Sequence, residues 1–137
     1  MFLDNKDSAR AQGDIGEARA IYEFTKMGYM VSIPTSVHCK YDLVVDDGER
    51  LLRVQVKTSQ HQKKSGTFEV NLSQTSTKYM EGRIHQFQKV KRSRQFDILF
   101  VLTGDDNVWI LPEDKIEGNF SILLNETGKY SQYKLGV

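Results

Sequence analysis

Asp42, Gln55 and Lys57 are the residues of this 137-residue chain whose types and spacing could break a phosphodiester bond. They stand in "YDLVVDDGERLLRVQVKTS", residues 41 to 59, with an acid near the start of one apolar run and an amide and a lysine two apart at the end of the next. A carboxylate at Asp42 can hold a hard divalent ion, which takes oxygen ligands and bridges to phosphate oxygens. Such an ion polarises the scissile phosphate and lowers the pKa of bound water, while a lysine beside it orients or activates that water or stabilises the developing charge. Lys57 suits that last role, and Gln55 adds an amide oxygen. Taken alone, the same residues equally describe a surface hairpin with decorated ends, so the elements that position them must decide.

Successive side chains of a strand alternate faces, so Arg53, Gln55 and Lys57 share one side of residues 51 to 59 and Val54 and Val56 pack on the other. The Asp-Gly of "DDGER" is a strong hairpin signal, making "YDLVV" and "LLRVQVKTS" antiparallel neighbours and bringing Asp42 toward the Gln55/Lys57 end. Register alone leaves the distance open. Upstream, residues 8 to 27 place Ala11, Ile15, Ala18, Ile21 and Tyr22 at steps of three and four, broadened by Phe24 and Met27, as in an amphipathic helix. Gly28 supplies a left-handed stop, and "YMVSI" reads as a strand. "TFEVNL" is expected to continue the sheet. "FDILFVLT", "VWILP" and "FSILL" are three later apolar runs, the first two joined by a tight "GDDN" turn. "FSILL" fits a closing core strand, or an interface between copies. Residues 73 to 95 have no clean period and are expected to be a loop with a short helix or an irregular DNA-facing insertion. Gly13 and Gly16, one turn apart, mark a close approach of either a sheet or a phosphate.

With 39% hydrophobic and 27% charged residues, the composition is that of a globular chain, and its length suits one domain, taken as residues 1 to 137 with a basic insertion around 58 to 95. Cys39 is the only cysteine, which excludes a disulfide framework and a multi-cysteine metal site and fits a reducing cytosol. The first ten residues contain no signal-like apolar stretch and no window approaches a membrane span, so no membrane association is expected. His38 with Cys39, and the isolated His61 and His85, are expected to be packing or surface residues, and Trp109 a core residue.

The formal charge is only +1, yet it is segregated: residues 50 to 94 carry eleven Lys/Arg against Glu69 and Glu81, a charge of +9, while the remainder stands at −8. A central basic block in a nearly neutral chain is the signature of a phosphate-facing surface. Lys63, Lys64, Lys89, Lys91, Arg92 and Arg94 are the candidates for contact with a DNA backbone, among Thr, Ser and Gln residues able to bond phosphates or base edges.

Together these features resemble the PD-(D/E)xK nuclease superfamily, in which a helix glutamate, a strand aspartate and an acidic-x-lysine strand end form the active site. "GDIGEA" supplies Glu17 on the first helix, "YDLVV" supplies Asp42, and "VQVKTS" supplies Gln55 and Lys57, in the family's order, and the likeness extends over roughly residues 10 to 112. It implies an α+β chain with an α/β/α-like restriction-endonuclease core, a mixed central sheet flanked by helices and an N-terminal helix carrying Glu17. Gln55 departs from the usual acid. The pattern is nearest to the small endonucleases of bacterial group I introns, which have glutamine there, and that branch implies retained activity, with Asp42 and Glu17 as charged metal ligands and Gln55 and the carbonyl of Val56 as neutral ones. The cofactor implied is Mg²⁺, with Mn²⁺ as a substitute. The partner implied is double-stranded DNA, bound by a homodimer or homotetramer in a bacterial cytoplasm, associated with the nucleoid through DNA. A Holliday-junction resolvase and a restriction-like nuclease share the same core, and a non-catalytic DNA-binding protein on a decayed nuclease fold is the alternative raised by Gln55.

Overall fold

The computed structural model describes residues 9–80 and 82–136, with the side chains of 76–80 and 84–87 left out of the description. One helix, α1 (Ala9–Lys26), leads into β1 (Met30–Ser32), β2 (Leu43–Asp46) and β3 (Leu51–Ser59). There follow β4 (Phe68–Asn71), β5 (Gln74–Met80), β6 (Arg83–Val90), β7 (Ile98–Thr103), β8 (Val108–Pro112) and β9 (Ser121–Leu124). Five of these strands form the central sheet in the order β1-β2-β3-β7-β8. Only β3 and β7 run parallel; the other neighbours are antiparallel. The expected mixed sheet with an N-terminal helix is therefore present.

The two central strands differ in what each face meets. "ILFVLT" of β7 is buried almost throughout, the pattern of a strand covered on both sides, and the hydrophobic core accordingly divides in two. On one side Ala20 and Phe24 of α1 pack on Leu43, Val45, Val54, Val56, Phe100 and Leu102. On the other, Phe68, Val70, Ile122 and Leu124 cover Leu99, Val101, Trp109 and Leu111. That second layer is not a helix among the described residues: it is a two-stranded sheet in which β4 pairs with β9. Helical cover is thus found on one face, and "TFEVNL" leaves the central sheet instead of extending it. Its inward residues Phe68 and Val70 meet the apolar side of a strand some fifty residues downstream, a pairing that no local pattern encodes.

Two further expectations change. β5 and β6 pair as an antiparallel ribbon, in place of the expected irregular insertion or loop with a short helix. The helix buries Gly16, Ala20, Glu23 and Phe24, whereas Ala18, Tyr22 and Met27 of the expected stripe are exposed. The small residues set the contact: a Cβ on Gly16 would lie 2.7 Å from Thr58 Cγ2 and 3.3 Å from Val56 Cγ1, so glycine allows α1 to rest directly on β3. Gly13 has nothing within 4 Å of the same position. "FSILL" divides by alternation, with Ile122 and Leu124 in the core and Leu123 exposed. Trp109 is a core residue whose indole N–H donates to Thr103 Oγ1 at 3.3 Å.

Candidate active site

The register of β2 on β3 places the acid. Leu43 opposes Val54, and one step further the chain leaves the ladder with the Asp42 N–H donating to the Val54 carbonyl at 2.8 Å. Asp42 then substitutes its side chain for the next backbone acceptor: Oδ2 takes the Val56 N–H at 2.8 Å and the Gln55 side-chain N–H at 3.0 Å. A carboxylate fixed by a main-chain donor of the strand that carries Gln55 and Lys57 cannot drift from them without opening a hydrogen bond. Asp42, Gln55 and Lys57 are therefore gathered by the end of one hairpin.

Glu17 arrives from the other side. It follows Gly16, the point where α1 touches Val56 and Thr58, so the same close contact that seats the helix presents Glu17 beside Asp42. Burial pushes both carboxyls above their ordinary range, and the neighbouring charges of Asp42 and Asp14 push Glu17 further. The Val56 N–H and the Lys57 ammonium act against this at Asp42 without cancelling it. Two half-buried neighbouring acids, both with raised proton affinity, are a site short of positive charge. No group of three His, Cys, Asp or Glu capable of holding a metal occurs among the described residues. The donors at hand are two carboxylates and an amide oxygen, an oxygen-only set that fits a hard divalent cation and not a soft one. Gln55 turns its Nε2 toward Asp42, and a half-turn of the terminal amide, a rotation about one soft torsion, would place its Oε1 on that side instead.

Open space lies on both flanks of this group. A cleft of about 300 Å³ is lined by Glu17, Asp42, Tyr41 and Cys39, and another of about 260 Å³ by Gln55, Lys57, Gln74, Ser93 and again Cys39. Gln74 and Ser93 were not marked by sequence, because neither belongs to a periodic segment or a motif, and only the return of the chain across the strand end brings them here. A larger cavity of about 710 Å³ lies at the opposite end of β3, under Leu52, Asp97 and Glu113, and includes none of the four site residues. Asp97 is a second residue the sequence left unmarked. Its carboxylate accepts the Arg53 N–H at 2.8 Å and pairs with the Arg53 guanidinium, while its own N–H donates to the Arg53 carbonyl at 2.9 Å. It thereby pins the parallel β3–β7 register on which the site is built.

The basic candidates are not equivalent. Lys63, Lys64, Lys89, Lys91 and Arg94 are exposed, although Lys63 pairs with Glu69 at 2.9 Å and Arg94 with Glu113 at 3.2 Å. Arg92 stands apart from them, because its side chain is 1% exposed and its guanidinium is consumed internally. It donates to the carbonyls of Gly118, Ser93 and Ile116, pairs with Glu113 at 3.0 Å and lies over the Phe96 ring. Arg92 thus ties the segment after β6 to the loop before β9, and this placement runs against its expected role as a backbone contact. His38 and His61 are exposed, as packing or surface residues would be. The His85 side chain lies outside the description.

Comparisons with known proteins agree with this geometry. The family described as PD-(D/E)XK endonuclease matches residues 7–134. Protein 5.3 of Escherichia phage T7 is 31% identical over 117 residues, which is 85% of this chain and 91% of that protein. Among solved structures, the bacterial homing endonuclease I-Ssp6803I superposes with a TM-score of 0.75 at 30% identity, covering 93% of this chain and 88% of its own.

Proposed function

We propose, from the premise that this chain belongs to the PD-(D/E)XK endonuclease family, that it is a Mg²⁺-dependent, sequence-specific DNA endonuclease of the homing type, with Mn²⁺ as a working substitute. One observation carries the reading: the Asp42 carboxylate is held by the Val56 N–H at the strand end bearing Gln55 and Lys57, with Glu17 close enough to raise its own proton affinity through Asp42. Asp42 and Glu17 are the charged ligands in this reading, and Gln55 and the Val56 carbonyl the neutral ones. The cation supplies the charge that polarises the scissile phosphate and makes water a stronger acid. Lys57 orients the attacking water and stabilises the charge that develops on the phosphate oxygens. The Val56 N–H keeps the Asp42 carboxylate from rotating, so its free lone pairs stay aimed at the site. One such site cuts one strand, and double-strand cleavage by a chain of this size calls for a homodimer or homotetramer.

A second reading is favoured by Gln55, whose amide nitrogen, not its oxygen, meets Asp42. Under it the chain binds DNA through a nuclease fold that no longer cuts. Calorimetric titration with Mg²⁺ separates the two. Uptake by the native chain that disappears in Asp42→Asn is the expected result; absence of any Asp42-dependent uptake would leave the binding protein as the better account. Comparing a linear duplex with a four-way junction as substrate then separates the homing reading from a junction resolvase.

A further inference from the structure

The two clefts at the hairpin end are sorted by charge. Among the described residues, the one lined by Glu17 and Asp42 has no lysine or arginine, and the one lined by Gln55 and Lys57 has no acid. The Gln55–Asp42 hydrogen bond stands between them, and Cys39 borders both. Lys40, Lys57 and Arg92 line the second cleft. Arg92 is committed to Glu113 and to backbone carbonyls. Lys40 is exposed and, like Lys57, belongs to no ion pair among the described residues, whereas Arg50, Arg53, Lys63 and Arg94 are each matched to an acid. It stands two residues before Asp42, whose N–H and carboxylate are both tied to β3. One short stretch of chain therefore delivers an acid to the first cleft and a cation to the second.

The rest of the second cleft suits an anion as well. Leu72 and Phe96, each 4% exposed, form apolar walls, and a cleft lined by one sign of charge over low-dielectric walls concentrates its field on an incoming ion. Ser73 gives its O–H to Asn71 at 2.7 Å and Gln74 gives its amide to the Lys91 carbonyl at 3.1 Å. Ser93 differs from both: its hydroxyl oxygen accepts the Gln95 N–H at 3.0 Å, which leaves its O–H to donate.

We propose that this cleft is a phosphate subsite, in which Lys40 and Ser93 hold the DNA backbone phosphate next to the scissile one. The proposal rests on the nuclease reading above and adds to it a residue that fixes the cut strand, while Lys57 remains with the scissile phosphate. An ammonium meets phosphate oxygens as a point charge and reads no base, so Lys40 sets the position of the strand and not the sequence chosen.

The test takes a duplex selected from a randomised library, replaces one phosphate at a time by an uncharged methylphosphonate, and measures binding in metal-free buffer, so that affinity is scored without cleavage. Neutralising the phosphate next to the scissile one is expected to weaken the native chain about three- to tenfold and to cost Lys40→Ala nothing further. On the unmodified duplex Lys40→Ala should show the same loss, with a slope of log affinity against log salt shallower by about 0.9. Lys40→Arg, which keeps the charge, should restore both, and Ser93→Ala should lose part of the same sensitivity. Lys115→Ala, which removes an exposed cation at the opposite end of β3, is expected to keep the native pattern. A Lys40→Ala chain that retains the native sensitivity beside the cut, or loses it only at another phosphate, would overturn the proposal. Cleavage by the native chain with Mg²⁺ is scored in parallel and locates the cut. No cleavage with a single Lys40-dependent phosphate would refute the nuclease and keep the cleft, and cleavage with no such phosphate would do the reverse.

Discussion

Asp42 carries the largest share of the site's physics at the residue scale, and it does so under opposing influences. Burial disfavours its charge, and the Val56 N–H and Lys57 favour it, with burial prevailing. A carboxyl whose folded pKa is raised binds more protons in the native state than in the unfolded chain, so the stability it allows is complete below the ordinary carboxylate range and falls as pH rises toward the raised value. Glu17 adds in the same sense, whereas Asp97 and Glu69, paired with Arg53 and Lys63, act in the opposite one. The informative quantity is therefore a difference between variants. In a metal-free buffer Asp42→Asn should unfold at a higher temperature than the native chain at pH 7, with the gap closing as pH is lowered through the carboxylate range; a gap independent of pH would contradict the assignment. Asp42, Gln55 and Lys57 were legible in sequence because strand alternation and the Asp-Gly turn fix their order and side. Arg92 was not, because its burial depends on the carbonyls of Gly118 and Ile116, more than twenty residues away.

At the scale of elements, the site exists because α1 lies directly on β3. Gly16 is the contact and Glu17 the residue it delivers, so enlarging the one should displace the other. Gly16→Ala is expected to destabilise the protein by about 1–3 kcal/mol through overpacking against Val56 and Thr58, and to lower cleavage as well. Gly13→Ala, with nothing within 4 Å, should instead be neutral or stabilise by up to about 1 kcal/mol, as alanine does in a helix. Urea unfolding of the two variants checks both signs, and equal effects would show that the helix does not depend on this approach. In the central sheet β7 and β8 were readable from continuous apolar runs, and β2 and β3 from alternation about the Asp-Gly turn. β5 and β6 were not, since "QTSTKYM" and "RIHQFQKV" hold no continuous apolar run and take their strand form from pairing with each other. β4 was readable as a strand and not as a partner of β9, because its choice of sheet is settled by packing across the whole chain.

For the whole molecule, the arrangement separates three tasks. The two cores on either side of the central sheet support the hairpin end, the clefts beside Asp42 and Gln55 are open, and the segment of residues 50 to 94, with a charge of +9, carries the charge that attracts a nucleic acid. Among the described residues no helix is long and apolar enough to cross a membrane. In the function proposed above, binding falls to the exposed cations and cutting to Glu17, Asp42, Gln55 and Lys57. The most direct test of that division is to measure DNA binding and Mg²⁺-dependent cleavage side by side for the native chain and Lys57→Ala, on fragments selected from a randomised library. Cleavage is predicted to fall about a hundred- to a thousandfold while affinity stays nearly unchanged; an equal loss of both, or cleavage that survives the substitution, would contradict the active site described.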